Sequence, residues 1–280
     1  INTDYLRLKI RAMRLINVIM KSKTFTYQSA EIFYRTIGAG KPVVLIHGFA
    51  EDGEVWKNQI EFLKDHFYLI IPDLPGTGRS ALINDMSIEG MAEVIKAILL
   101  NEETETCSMA GHSMGGYITL AFAEKFPAML TSAGLVHSSA FADNEEKKAN
   151  RLKSIEFVKK NGAYEFLKAV ITDLFTEDWA AANQEIVDRQ IEKSKAFSDE
   201  AIIAYYQAMI NRPDRTHVLK SFPKPILFII GEHDKAVPFE QSMQQCYLPN
   251  LSDITILRNS AHMGMFEEAD KVNHALLQLK

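Results

Sequence analysis

The chain has 280 residues, 47% of them hydrophobic and 24% charged, and 31 basic against 36 acidic side chains give a formal net charge of −5. Such a chain can bury a large core, as one large domain or two ordinary ones. No lysine/arginine block recurs across a candidate binding face, so nucleic acid is excluded as an expected partner, and no apolar run approaches the ~18–20 residues a bilayer span needs.

The first 23 residues carry Arg7, Lys9, Arg11, Arg14, Lys21 and Lys23 against Asp4. A basic amphipathic helix on a membrane surface fits this pattern. A signal sequence fits it poorly, because LINVIM is short and no A-x-A site follows. The favoured reading is a native start at Met20, with residues 1–19 an upstream extension; residues 1–22 as a whole are set apart from the core as an N-terminal extension, non-native or a basic helix, with no firm membrane partner. The two cysteines, Cys107 and Cys246, lie far apart without C-x-x-C spacing, so both are expected reduced and the chain cytoplasmic.

From residue 23 onward, strand and helix signals alternate. KTFTYQ and AEIFYR, joined by a short polar turn, predict an antiparallel pair. PVVLIHG (42–48), FYLIIPDLPG (67–76) and PILFIIGEHD (225–234) are continuous apolar runs ending in turn residues, the mark of parallel strands buried on both faces. Weaker strand signals are TCSMAG (106–111), SAGLVH (132–137) and ITIL (254–257). Between them, SIEGMAEVIKAILLNE (87–102) places Met91, Val94, Ile95, Ile98 and Leu99 on one helical face after a Ser87 N-cap. MGGYITLAFAEKFP (114–127) predicts a helix that starts after Ser113 and is stopped by Pro127. The alternation implies an α/β fold with a doubly wound, mostly parallel sheet. Residues 138–221 break it with four helical runs and no strand. About 80 residues are too many for a crossover, so they predict an all-helical cap inserted into a core of 23–137 and 222–280.

The chemistry centres on MAGHSMGGY (109–117). A serine on a tight strand–turn–helix corner is forced into a strained backbone, and residues two places away on either side must be tiny. Gly111 and Gly115 meet that need, and Gly116 lets the helix pack close. The alternative, a phosphate-binding glycine turn, would need G-K-[ST] or G-x-G-x-x-G, and neither is present. A serine nucleophile needs a base, and the base an orienting acid. His262, in the loop after ITIL, and Asp234, at the end of PILFIIGEHD, follow strands on the expected ligand edge of the sheet, in the order Ser113…Asp234…His262. Glu232 is the alternative acid, and His112 is expected to pack. The oxyanion is expected on the backbone N–H groups of Met114 and of Phe49 in the HGF turn. No metal-ligand spacing of the H-E-x-x-H kind occurs, and no metal or organic cofactor is implied.

The segments HGF (47–49), DLPGTGRS (73–80), GHSMGG (111–116), RPDRTHVL (212–219), GEHDKAVP (231–238) and NSAHMGMFE (259–267) together resemble the α/β-hydrolase superfamily, from about residue 24 to the end. The overall look is that of carboxylesterase-like members with a single lid, which also resemble enol-lactonases and cofactor-free perhydrolases. Ser113 sets the chain apart from relatives with an aspartate nucleophile, the haloalkane dehalogenases and epoxide hydrolases. Met114 sets it apart from prolyl iminopeptidases, which usually have tryptophan there. The resemblance implies hydrolysis of a small-to-medium ester or lactone through an acyl-enzyme. A ligand receptor, a carbon–carbon hydrolase, a perhydrolase or a lyase on the same scaffold stays open. Candidate pocket residues are Phe141, Trp179, Tyr206, Met209 and Met263, forming an apolar pocket for a small-molecule ester-like substrate.

Overall fold

The computed structural model describes residues 19–279. The extension expected at 1–22 therefore lies mostly outside the described residues. Its last two residues, Lys21 and Ser22, already pair with Thr36 and Arg35 in the sheet. The strands are β1 (Lys21–Tyr27), β2 (Ala30–Gly38), β3 (Pro42–Ile46), β4 (Tyr68–Pro72), β5 (Cys107–His112), β6 (Leu130–Val136), β7 (Ile226–Gly231) and β8 (Ser252–Leu257). They form one sheet in the order β1-β2-β4-β3-β5-β6-β7-β8.

The pairs β1–β2 and β2–β4 are antiparallel, and the others are parallel. The tight β1–β2 turn places Gln28 and Ser29 at φ 52 and 103°, the positive values a two-residue hairpin needs. The apolar runs of β3, β4 and β7 are buried because helices cover both faces of the sheet. On the N-terminal side of the insertion these are α1 (Lys57–Leu63), α2 (Ile88–Asn101) and α3 (Met114–Lys125). The Ser87 hydroxyl accepts from Gly90 N at 3.0 Å and caps α2, whose buried face includes Met91, Val94, Ile95, Ile98 and Leu99.

Between β6 and β7 come α4 (Glu145–Asn161), α5 (Ala163–Thr172), α6 (Glu177–Ala182), α7 (Gln184–Lys193), α8 (Asp199–Asn211) and α9 (Thr216–Ser221), with no strand among them. The run 180–197, which reads as one helix, is broken at Asn183 (φ −130°, ψ 37°), whose side-chain amide donates to Trp179 O at 2.9 Å. The two arginines of RPDR tie down the return of this segment. Arg212 donates to Met209 O (2.6 Å), Phe141 O (3.1 Å) and Asp143 Oδ1 (3.0 Å). Arg215 is buried and pairs with Glu89 of α2 and Glu124 of α3. After β7 follow α10 (Phe239–Cys246), α11 (Gly264–Glu267) and α12 (Ala269–Leu276).

Because β3, β5, β6, β7 and β8 run parallel, their carboxyl ends share one edge. That edge receives Phe49, Ser113, His137, Asp234 and His262 from five successive loops. Cys107 and Cys246 are both buried and free, and burial pushes each thiol up to about 12. No described helix is long and apolar enough to cross a membrane.

Candidate active site

Ser113 joins β5 directly to α3 at φ 48°, ψ −114°, a conformation that costs an L-residue about 1–3 kcal/mol. The corner is pinned from the end of β6. Ser113 N donates to Val136 O at 2.9 Å, and Ser138 Oγ donates to Ser113 O at 2.6 Å. A Cβ on Gly111 would lie 2.1 Å from the carbonyl of Gly115, and one on Gly115 would lie 2.4 Å from Ile46 O. A Cβ on Gly116 would strike Ser138 Oγ at 2.2 Å. The backbone contacts cannot yield as a flexible side chain could. Gly115→Ala is therefore expected to destabilise the protein by more than about 2 kcal/mol or to prevent soluble expression; denaturant unfolding measures it.

His262 lies beyond β8, with its Nδ1 2.8 Å from Asp234 Oδ2. Its Nε2 is thus the nitrogen left for a reacting group, and His262 and Ser113 line the same cavity. Asp234, and not the alternative Glu232, meets the histidine. Asp234 Oδ1 accepts from Ala236 N and Val237 N, both at 2.9 Å. Burial alone would raise the Asp234 carboxyl, but His262 and His137 hold it far below the usual carboxylate range. The carboxylate is therefore charged, and both Nδ1 atoms face it as N–H donors.

Two further histidines stand beside His262, and sequence reasoning missed both contributions. His137 Nδ1 lies 3.2 Å from Asp234 Oδ2, so one carboxylate oxygen serves two imidazoles. Burial lowers His137 to about 4 and keeps it neutral. His112, expected only to pack, bridges two loops. Its Nδ1 is 2.9 Å from Glu51 Oε2, and its Nε2 is 2.9 Å from His262 O. Glu51 Oε2 also accepts from Gly48 N at 2.6 Å. The HGF turn and the base loop are thereby joined through one buried pair. Burial opposes charge on both partners, yet their mutual attraction raises His112 and lowers Glu51. Both His112 nitrogens face oxygen atoms, an arrangement that suits a protonated ring beside a charged carboxylate.

His137, Asp234 and His262 also place three potential metal-ligating atoms within 4.8 Å of one another. Both Nδ1 atoms are directed at the same carboxylate oxygen, so these atoms are already engaged in N–H···O bonds.

The cavity over Ser113 measures about 300 Å³. Of the five candidate pocket residues, Tyr206 and Met209 line it, together with Phe49, Tyr117, Val170 and Leu174. The Phe49 and Tyr206 rings lie 4.6 Å apart. Three expected pocket residues lie elsewhere. Met263 is buried beneath the base loop, where its N–H donates to Glu267 Oε2 at 3.2 Å. Trp179 stacks on Phe175 at 5.1 Å and lines a neighbouring depression of about 630 Å³. Phe141 sits at the turn held by Arg212, outside the Ser113 cavity. The cavity surface is mostly apolar, and Lys147, Asn150, Arg151 and Ser154 of α4 add a polar stretch to its lining, with Lys235.

Residues 41–269 match the α/β-hydrolase fold family. The chain belongs to this family. Among similar proteins, the putative carbamate hydrolase RutD of Agrobacterium fabrum is 27% identical over 259 residues, covering 89% of this chain and 96% of that protein. The 2-hydroxy-6-oxononadienedioate/2-hydroxy-6-oxononatrienedioate hydrolase of Paraburkholderia phymatum is 25% identical over 263 residues, covering 88% and 89%. A thermophilic esterase from Thermogutta terrifontis, in malate-bound form, superimposes with a TM-score of 0.85 at 29% identity, covering 93% of this chain and 97% of that one. The enol-lactonase of Burkholderia xenovorans gives the same TM-score at 19% identity, a likeness of fold alone. The chain is thus a hydrolase of this family.

Proposed function

We propose that this hydrolase cleaves a carboxylic ester or related acyl bond of a small molecule through Ser113, His262 and Asp234. The observation that carries the reading is Ser113 at φ 48° in the same cavity as a histidine whose Nδ1 is held by Asp234. In this mechanism Ser113 Oγ attacks the acyl carbon while His262 Nε2 takes its proton. The Asp234 carboxylate stabilises the imidazolium. The N–H of Met114, unpaired at the start of α3, and that of Phe49 receive the charge that develops on the acyl oxygen. His262 then gives its proton to the leaving group, the bond breaks, and an acyl-enzyme remains. Water attacks that intermediate, with His262 again as base, and Ser113 is regenerated.

A second reading has support from the relatives. The RutD proteins are named for carbamate hydrolysis, in which the same serine would attack a carbamoyl carbon. The test is labelling by a fluorophosphonate, followed by mapping of the modified residue and by rates on matched esters and carbamates of increasing acyl length. Stoichiometric modification of Ser113 with faster ester turnover is expected. An unlabelled Ser113 would sink both readings, whereas carbamate preference would sink only the first.

A further inference from the structure

The wall of the Ser113 cavity formed by α4 is unlike the rest. Lys147, Asn150, Arg151 and Ser154 recur at i, i+3, i+4 and i+7, so one stripe of the helix faces the site. Lys147 is out of place for helix stability. It stands three residues after the Asn144 N-cap, whose Oδ1 accepts from Lys147 N at 2.8 Å. That position favours Glu or Gln, and the positive end of the helix dipole disfavours a cation there. The Lys147 ammonium donates to Ala236 O at 2.9 Å, beside the Asp234 loop.

Arg151 is the second cation. Its Nε donates to Asp143 Oδ2 at 2.6 Å, while Asp143 Oδ1 accepts from Arg212 at 3.0 Å. One buried carboxylate thus serves two guanidinium groups, and one positive charge is left over. Lys235 adds a third cation at the rim. The one carboxylate that lines the cavity, Glu51, is spent on His112 and Gly48 N. The buried Tyr117, which lines the cavity, lies near the same cations. Burial would raise its hydroxyl, yet Arg212, Lys147 and Arg151 lower it.

We propose, building on the acyl-hydrolase reading, that the substrate carries an anionic group at the far end of its acyl chain, bound by Lys147 and Arg151 with Asn150 and Ser154 as hydrogen-bonding neighbours. The apolar wall of Val170, Leu174 and Met209 takes the intervening carbon chain. The small cavity, about 300 Å³, suits a short acyl unit ending in a carboxylate or a phosphate-type group.

The test compares three esters that differ only at the far end: ethyl pentanoate, monoethyl glutarate and ethyl 4-phosphonobutanoate. At least one anionic ester is expected to exceed the neutral one in kcat/KM by about tenfold or more, and the better of the two identifies the anion. In the Lys147→Gln/Arg151→Gln double variant that ratio is expected to fall toward one. A ratio within one protein is independent of the fraction folded. Lys153→Gln, exposed on the same helix outside the cavity, is expected to keep it. Protection of Ser113 from the fluorophosphonate should follow the same ranking without requiring turnover. Equal or faster hydrolysis of the neutral ester, a ratio unmoved in the double variant, or no preferential protection of a labelled Ser113 would overturn the proposal and leave the acyl-hydrolase reading standing. A Ser113 that does not label would instead overturn that reading, and this one with it.

Discussion

Replacing Ser113 with alanine is expected to lower kcat by about four to six orders of magnitude, with folding intact. The loss should be in kcat and kcat/KM together, because the attacking oxygen acts only in the transition state. Residual rate over the uncatalysed reaction would come from the oxyanion N–H groups and from binding. Alanine keeps the Cβ, so the strain at φ 48° persists and stability should hardly change. Ser113→Gly separates the two effects. It removes the nucleophile and also relieves the strained backbone, offset in part by the freer unfolded chain, for a net gain of about 1 kcal/mol. An inactive variant more stable than the parent is the signature of strain kept for function. Steady turnover by Ser113→Ala would remove Ser113 from the mechanism.

Strands β3, β4 and β7 were legible because each is a short apolar run closed by glycine, proline or a polar turn, and burial on both faces leaves no polar residue to blur it; the edge strands β1 and β8 are largely exposed and lack such a run. The order of Ser113, Asp234 and His262 was legible for a related reason. Each follows a strand signal, and parallel strands bring their carboxyl ends to one edge whatever the sequence separation. The Glu51–His112 bridge had no such signal. A lone histidine reads as packing, and its two partners lie 61 and 150 residues away. His137 was hidden in the same way, 97 residues from the carboxylate it shares.

The stripe Lys147, Asn150, Arg151 and Ser154 was visible as a helical period but indistinguishable from a solvated face. Periodicity tells which residues share a face, and only packing tells what that face covers. The same limit misplaced Trp179 and Met263, whose apolar character fits a pocket and a core equally well.

Removing the Glu51 carboxylate, as in Glu51→Ala, is expected to cost about 3 kcal/mol of stability near pH 5.5. The figure sits at the low end for a broken buried ion pair because His112 can shed its proton once alone. The pH dependence tests whether the pair is ionised. His112 is raised above its usual 6.5 in the folded protein, so its contribution is complete below 6.5 and is lost as pH rises through the raised value. Glu51 is lowered from its usual 4.5, so its contribution is complete above 4.5 and is lost as pH falls through the lowered value. The stability difference between the parent and Glu51→Ala should therefore be greatest between 4.5 and 6.5 and shrink on both sides. Denaturant unfolding across that range reads it directly, and a difference independent of pH would mean that packing, not charge, was lost. The pair also joins Gly48 N to the backbone of His262, so the variant is expected to loosen the Gly48–Phe49 turn and the His262 loop together. A fall in kcat at pH 5.5 larger than any rise in KM is the expected kinetic counterpart, because in the proposed mechanism both loops act on the transition state more than on bound substrate.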